Sequence, residues 1–500
     1  MKQSDQFRSR KKHSQNYYKT MNNQFDWLLV QLSNQASIVL SERYKISLII
    51  NVVLFLFALI ISIIFFWRIK FENKGYKKLF VFYSIFWLPI FLVRSYRGTL
   101  HNDLALDRNL LFLPLSLYGF VGIFFRPLFD YLGIRFKSRK KVVFAALLLQ
   151  LATFIPIIIK PSFATNLIQT IGVGIAASCI GSFSLWFNEQ HAKEKPFLAI
   201  SILSIPPLIA DFVASPVQSL VRTLAITTQR TADVNITKYL WLIGLIVILI
   251  NIVFWWFLRE NPQFVGLKKH DPKDIIDGSP NKIYCFIVVI LFAGIVIFTK
   301  FATADGIAQI TLQQLVGNSN SAPYEGYLSS VFSAAQLLGG VLMGVVGVKY
   351  FDKWMVALIG SIFFVLYNTS MILLINSTSV PTLTKGGIYL GIQAISGFGY
   401  GILYNLLIAH ALSYGFKNNK ITPIGINQTM ASIAITSANF FTTFIRDKIS
   451  SDFAKANTVI SYILIGTVLA GLSLYFFNSW IDHDKKLKPI FWIKSFKSCI

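Results

Sequence analysis

The sequence predicts an all-α polytopic membrane protein, and three observations support that prediction. Of the 500 residues, 54% are hydrophobic and only 14% are charged, whereas soluble proteins have about 25% charged residues. Apolar runs of about 20 residues recur between residues 46 and 478, and each is long enough to cross a hydrocarbon core of about 30 Å. A transmembrane β-barrel would instead show shorter segments of alternating polarity.

Thirteen apolar segments are candidate membrane spans. They cover residues 46–67, 79–99, 109–128, 141–160, 164–187, 197–220, 239–258, 283–304, 325–348, 354–376, 386–413, 421–445 and 457–478. The last twelve divide evenly around a polar stretch that contains Pro262, Pro272 and Pro280. Six spans, a longer loop and six further spans are typical of a doubled transporter.

The predicted organisation has six parts. They are a basic polar tail (1–45), an extra N-terminal hydrophobic helix with a basic linker (46–78), a six-helix bundle (79–258), a cytoplasmic linker loop (259–282), a second six-helix bundle (283–478) and a basic cytoplasmic tail (479–500). Residues 1–45 have no early apolar core, so no cleavable signal peptide is predicted.

Loop charges indicate the orientation and account for the net charge of +25. Basic residues crowd the segments 129–141, 259–282 and 479–500, which would all lie on the cytoplasmic side. The loop at 306–323 would lie outside and contains neither Lys nor Arg. We therefore expect no nucleic-acid partner. The segment 46–67 has basic residues on both flanks, so it either crosses the membrane or lies along its inner face.

Nothing in the sequence indicates an enzyme, a cofactor or a metal site. Cys179, Cys285 and Cys499 lack metal-binding spacing. The glycines of GFGYG (397–401) follow no predicted strand, so they are not a dinucleotide loop. They offer flexibility in their predicted span, while the small residues of 171–182 and 337–347 favour close helix contacts. The expected partners are the lipid bilayer and a small solute, and we expect a monomer. Abundant Phe, Ile, Lys and Asn favour a bacterial cytoplasmic membrane as its location.

A loop motif follows the third apolar segment. RPLFDYLGIRFKSRKK contains Asp130, Gly133 and Arg135 ahead of a basic run, and it resembles the loop motif of the major facilitator superfamily. In that family the Asp pairs and caps across helix ends, and the Gly permits a tight turn. Arg126 stands where the motif usually begins with Gly. The resemblance implies two six-helix bundles of the major facilitator type, here with one additional helix.

A second resemblance is narrower. LRENPQFVGL (258–267) resembles the end of the sixth helix in organophosphate:phosphate antiporters, which take up glycerol 3-phosphate and hexose 6-phosphates. Arg259 would anchor the inner interface, Pro262 would stop the helix and Gly266 would turn the chain.

Other stretches resemble the same family in matching order. They are FLVRSYRGTLHNDL (91–104), FTKFATADG (298–306) and HALSYGFKNNKITPIGINQ (410–428). Two positions depart from the family: Ile205 replaces a phosphate-binding His of the fifth helix, and Lys300 replaces an Arg of the seventh. Lys lacks the bidentate geometry of Arg.

Two cations within predicted spans are the main candidates for substrate binding. A charge inside the membrane costs roughly 2.5–3.5 kcal/mol, and Arg94 and Lys300 lie in the first spans of the two halves. Pseudo-symmetry would make them face each other across a central cavity; otherwise they would snorkel to the outer interface. Together they would neutralise a phosphate monoester. Their mutual repulsion without a bound anion predicts obligatory exchange with phosphate.

The remaining candidates have weaker support. Asp211 would pair with a cation, bind a proton or face water at a helix break, and Asp305 would pair with Lys300 near a helix end. Tyr96 and Tyr404 would donate hydrogen bonds to substrate, with core packing as the alternative. Gating or structural roles are predicted for a set comprising Asp130, Gly133, Arg135, Asp305 and Arg259.

Three functions remain open at this point. The first is an antiporter that exchanges a hexose phosphate or glycerol 3-phosphate for inorganic phosphate. The second is a proton-driven carrier of another solute that uses Asp211. The third is a transporter-like receptor, because some relatives of the family sense hexose phosphate, and residues 1–77 would then serve a partner kinase.

Overall fold

The computed structural model is helical. It describes residues 42–68, 74–107, 110–191, 203, 205–225, 233–262, 265, 280–343, 350–415, 422–449 and 452–481. The chain divides into two compact units, Met1–Ile49 and Ile50–Ile500. Almost all of the predicted tails at 1–45 and 479–500, and most of the predicted loop at 259–282, lie outside the described residues.

The first half of the chain contains ten helices within the described residues. They are α1 (Glu42–Arg68), α2 (Lys74–Arg94), α3 (Tyr96–Asp103), α4 (Phe112–Arg135), α5 (Arg139–Ile159), α6 (Phe163–Ser178), α7 (Ile180–His191), α8 (Ile205–Ala225), α9 (Val234–Thr237) and α10 (Tyr239–Trp256). Local sequence explains where two of these helices begin. Ser138 caps α5, and Ser162 forms a reciprocal capping box with Thr165 at the start of α6.

The second half contains seven helices among its described residues. They are α11 (Pro280–Thr303), α12 (Asp305–Val316), α13 (Asn318–Leu342), α14 (Lys353–Asn376), α15 (Thr382–Leu412), α16 (Pro423–Ile449) and α17 (Phe453–Ile481). The halves pack together chiefly where α4 meets α16 and where α8 meets α13.

These helices confirm the all-α polytopic fold class. Ten helical stretches of the described chain are long and apolar enough to cross a membrane. The predicted spans 197–220, 325–348 and 421–445 correspond to α8, α13 and α16, which are helical but more polar than those ten. Their polar side chains are buried inside the protein, including Gln218, Ser333 and Asn427. A polar interior of this kind suits helices that surround a hydrated cavity.

Three sequence predictions about element boundaries were wrong. The predicted outer loop at 306–323 is helical, because α11 is followed directly by α12 and α13. Pro262 does not stop its helix, since α10 already ends at Trp256, and Gly266 lies outside the described residues. Gly133 makes no tight turn, because it lies inside α4.

The first long helices of the two halves are central in the fold. In the stretches Lys77–Asp103 and Asn281–Val316, 83% and 78% of the most apolar window is buried, against 11% in Leu48–Arg68 of α1. Arg94 and Lys300 are carried by these central helices, and each is only 7% exposed. The alternative in which they snorkel to the outer interface is therefore wrong.

A seam without side chains joins α13 and α15. A Cβ atom added at Gly397 would overlap the carbonyl oxygen of Phe332, and one added at Gly401 would overlap the carbonyl oxygen of Gln336. The two backbones therefore touch directly, which small residues permit at helix interfaces in membranes.

Candidate binding cavity

A central cavity lies between the two halves. Its volume is about 150 Å³, which is room for roughly ten water molecules or one small solute. Of the residues that the structure describes, five with charged side chains line it: Arg94, Arg126, Lys300, Asp305 and Glu325. Within the described part of the chain, no group of three His, Cys, Asp or Glu side chains could hold a metal ion.

Arg94 and Lys300 meet in this cavity through a shared carboxylate. Nη2 of Arg94 donates to Oδ1 of Asp305 at 2.5 Å, and Nζ of Lys300 donates to Oδ2 at 3.4 Å. Asp305 pairs with Lys300 as the sequence suggested, but its stronger contact is with Arg94 in the other half. The repulsion expected between two bare cations is therefore absent here, because Asp305 lies between them.

A helix break places Asp305 in the cavity. Helix α11 ends at Thr303, and α12 begins at Asp305, whose φ of 53° lies in the left-handed region. This conformation is uncommon for residues other than Gly, although Asp adopts it more readily than most, and here it redirects the chain between α11 and α12. The Thr303 carbonyl accepts from Nε2 of Gln393 at 3.1 Å. In the first half, α2 likewise ends at Arg94, so both central helices are interrupted just beyond their cation.

Aromatic rings surround the lysine. Nζ of Lys300 lies 4.1 Å from the ring centre of Phe301 and 5.4 Å from those of Phe332 and Tyr400. Tyr400 stacks on Tyr404 at 5.0 Å, and both tyrosines line the cavity. An ammonium group near aromatic faces gains cation–π attraction in a site with little water.

The two other predicted binding residues do not line the cavity. Tyr96 is fully buried, and its hydroxyl has no hydrogen-bond partner in the described chain. Asp211 is also fully buried; its Oδ2 accepts from Ser329 Oγ at 2.8 Å and from Ser333 Oγ. Both serines line the cavity, so Asp211 lies behind them and links α8 to α13.

An ion-pair triad closes the end of the cavity that is predicted to face outside. Nη1 of Arg222 donates to Oδ2 of Asp103 at 2.5 Å, and its Nε donates to Oε2 of Glu325 at 3.0 Å. Glu325 also accepts from Ser321 Oγ at 2.6 Å and from Gln313 Nε2 at 3.0 Å. Sequence reasoning missed this triad, because Arg222 and Asp103 lie beyond the predicted span ends.

The loop-motif residues lie at the opposite end. Oδ1 of Asp130 accepts from Arg139 at 3.0 Å, and Arg139 also pairs with Glu189 at 3.0 Å. Oδ2 of Asp130 accepts from the backbone N–H of Thr422 at 3.0 Å, just before α16 begins. Gly133 lets the Arg139 guanidinium approach α4, since an added Cβ would lie 2.5 Å from Nη1.

The predicted interface residues Arg135 and Arg259 are exposed, whereas the neighbouring Glu260 has a defined role. The Glu260 carboxylate accepts from Ser138 Oγ at 2.6 Å and from the backbone N–H of Arg139 at 2.7 Å, so it caps the start of α5. Partial burial raises the pKa of the Glu260 carboxyl, although the hydrogen bond from Ser138 acts in the opposite direction.

Comparisons with known proteins agree with this architecture. The model of the Major Facilitator Superfamily matches residues 79–439. The chain is similar to a bacterial homolog of the human lysosomal transporter Spinster, in an inward-facing and occupied conformation, with a TM-score of 0.54, 14% identity, and coverage of 84% of this chain and 100% of that chain.

Two further solved structures are similar. The human organic anion transporter MFSD10 (TETRAN) has a TM-score of 0.58 and 11% identity, covering 81% of this chain and 100% of that chain. A D-xylose-proton symporter has a TM-score of 0.60 and 14% identity, covering 80% of this chain and 96% of that chain. At these identities the likeness shows the fold alone. No curated protein sequence matches the chain.

Proposed function

The chain belongs to the major facilitator superfamily, and on this basis we propose that it exchanges a phosphorylated metabolite, such as a hexose phosphate or glycerol 3-phosphate, for inorganic phosphate. One observation supports the proposal above all. Arg94 from the first half and Lys300 from the second converge in a single cavity on one carboxylate. A phosphoryl group can accept hydrogen bonds from both cations in the same way.

The charge of the cavity suits an anion. Among the described residues, three lining cations, Arg94, Arg126 and Lys300, face two lining carboxylates, Asp305 and Glu325. The lining side chains therefore carry an excess of positive charge, which an anionic phosphate monoester would offset. If the cavity were empty, the protein would have to pass through an occluded state with this positive charge poorly solvated, which costs free energy. The protein would therefore change between its two open states mainly with an anion bound in each direction, and this is exchange.

The test is phosphate exchange in liposomes. Purified protein is reconstituted in vesicles loaded with phosphate, and uptake of labelled phosphate, glycerol 3-phosphate and glucose 6-phosphate is measured. Arg94→Ala and Lys300→Ala should each reduce exchange at least tenfold, because each removes a charge-assisted contact. Lys300→Arg should retain exchange. Lys141→Ala, which removes an exposed cation far from the cavity, should exchange like the parent.

Parental exchange by both alanine variants would refute the proposed site. If the protein binds a hexose phosphate tightly but produces no flux in these vesicles, the receptor function replaces the transporter.

The position of Asp305 favours a second candidate, a proton-coupled carrier. An anion that takes over the donors of Arg94 and Lys300 must displace this carboxylate, which then becomes free to accept a proton. Asp211 is a second buried carboxyl close to the cavity. Uptake driven by a pH step into vesicles without phosphate, and lost in Asp305→Asn or Asp211→Asn, would favour this function over exchange.

A further inference from the structure

Arg126 is a third cation in the cavity that the Arg94–Lys300 pair does not explain. It lies on α4, at the position where the loop motif of the family usually begins with Gly, and it lines the same cavity. The interior arginines Arg94, Arg139 and Arg222 each pair with a carboxylate, whereas buried Arg97 does not line the cavity and lies over the ring of Tyr118. Among the described residues, no carboxylate lies within ion-pair distance of Arg126.

The guanidinium of Arg126 has donors to spare. Its Nη1 donates across the two halves to the Gln428 carbonyl oxygen at 2.6 Å and to Gln428 Oε1 at 3.0 Å. Its Nε is buried without a hydrogen-bond partner in the described chain. A guanidinium has five N–H donors in a fixed plane, and leaving a buried donor unpaired is costly. This geometry suits an anionic ligand that completes the remaining positions.

Arg126 makes contacts that are separate from those of the Arg94–Lys300 pair. Arg94 and Lys300 both hydrogen-bond Asp305, the first residue of α12, whereas Arg126 hydrogen-bonds Gln428 on α16. The two sets of contacts share no residue, so Arg126 forms a position in the cavity that is distinct from the Asp305 contact.

We infer that Arg126 is a second anion-binding position, and that the favoured solute carries an anionic group at each end. A phosphoryl group would bind between Arg94 and Lys300, and a carboxylate or second phosphoryl group would pair with Arg126. Identifying the first group rests on the proposed function, whereas the second position rests on Arg126 alone. Gln428 holds Nη1 and so fixes the plane of the guanidinium for the solute.

The test compares two open-chain solutes that differ by one anionic group. Sorbitol 6-phosphate carries a phosphoryl group only, whereas 6-phosphogluconate also has a carboxylate at the far end. Binding to purified protein is measured by calorimetry, and exchange is measured in phosphate-loaded vesicles. The parent should bind 6-phosphogluconate at least tenfold more tightly than sorbitol 6-phosphate. Arg126→Gln should abolish this preference by raising Kd and KM for 6-phosphogluconate alone.

Two further variants separate anion binding from a structural role. Arg126→Lys keeps the charge and should retain part of the preference. Gln428→Ala removes the side-chain contact across the halves but keeps the cation and its hydrogen bond to the backbone carbonyl at position 428, so the preference should persist. If Arg126 only joined the halves, Arg126→Gln would change both solutes by the same factor, and that result would overturn the inference.

Calorimetry keeps the two proposals distinguishable. Selective binding of 6-phosphogluconate without any exchange would refute the proposed antiport and support the Arg126 position. Exchange with equal affinity for the two solutes would support antiport and refute a role for Arg126 in selecting the solute.

Discussion

Replacing Arg222 with Met should open the end of the cavity that the Asp103–Arg222–Glu325 triad closes. The Arg222 side chain is fully buried and pairs with Asp103 in its own half and with Glu325 in the other. Its loss leaves two buried carboxylates without their counter-ion, which costs about 3–5 kcal/mol. This cost falls on the state in which α8 and α13 touch, because separation of the helices exposes the carboxylates to water.

The expected shift in population is large. At about 1.4 kcal/mol per factor of ten, the closed state loses roughly two to three and a half orders of magnitude relative to the open state. The assay uses Gln336→Cys, a position that lines the cavity, in a chain whose three native cysteines are replaced by serine. Labelling by a membrane-impermeant maleimide applied from outside should accelerate more than tenfold with Arg222→Met.

Two controls make this prediction specific. Adding Asp103→Asn and Glu325→Gln to Arg222→Met leaves no buried charge at this end, so labelling should slow again. Lys141→Met removes an exposed cation and should label like the parent. Unchanged labelling in Arg222→Met would show that the triad does not hold this end shut.

Two stability predictions use matched neighbours as controls. Gly397→Ala forces a methyl group against the Phe332 carbonyl oxygen and should lower the free energy of unfolding by about 1–3 kcal/mol. Gly391→Ala lies on the same helix, where an added Cβ would meet no atom within 4 Å, so this variant should melt like the parent. Equal melting temperatures for the two variants would contradict the seam. Glu260→Ala removes the carboxylate that accepts from the backbone N–H groups of Arg139 and Lys140 at the start of α5 and should cost about 0.5–2 kcal/mol. The exposed Arg259→Ala should be neutral in thermal unfolding. An unaltered melting temperature for Glu260→Ala would argue against a capping role for this carboxylate beside Ser138.

Much of the fold was predictable from the sequence because membrane spans can be identified by their length and hydropathy. Arg94 and Lys300 were also identifiable, since a cation inside an apolar run needs a compensating environment. The partner of Arg94 was not identifiable. Asp305 lies 211 residues away in the chain, and only the tertiary fold and the helix break before Asp305 bring the two together.

The place of Arg126 in the cavity and the ion pairs of Arg222 were not predicted, for a related reason. Each is an arginine near a predicted span end, where hydropathy alone assigns a charge to the water interface. The structure continues α4 to Arg135 and α8 to Ala225, so both arginines lie inside longer helices. The available signal was an ionisable residue with apolar neighbours on both sides, as in FFRPLF and SLVRTLA.

The glycine seam between α13 and α15 also restricts how this protein can move. Where two backbones touch with no side chain between them, neither helix can slide or roll without atoms colliding. The second half should therefore move as a rigid body. The relative motion should occur at the contacts between α4 and α16 and between α8 and α13. Spin labels on α13 and α15 would then keep a constant separation throughout a transport cycle, while a pair on α4 and α16 would not.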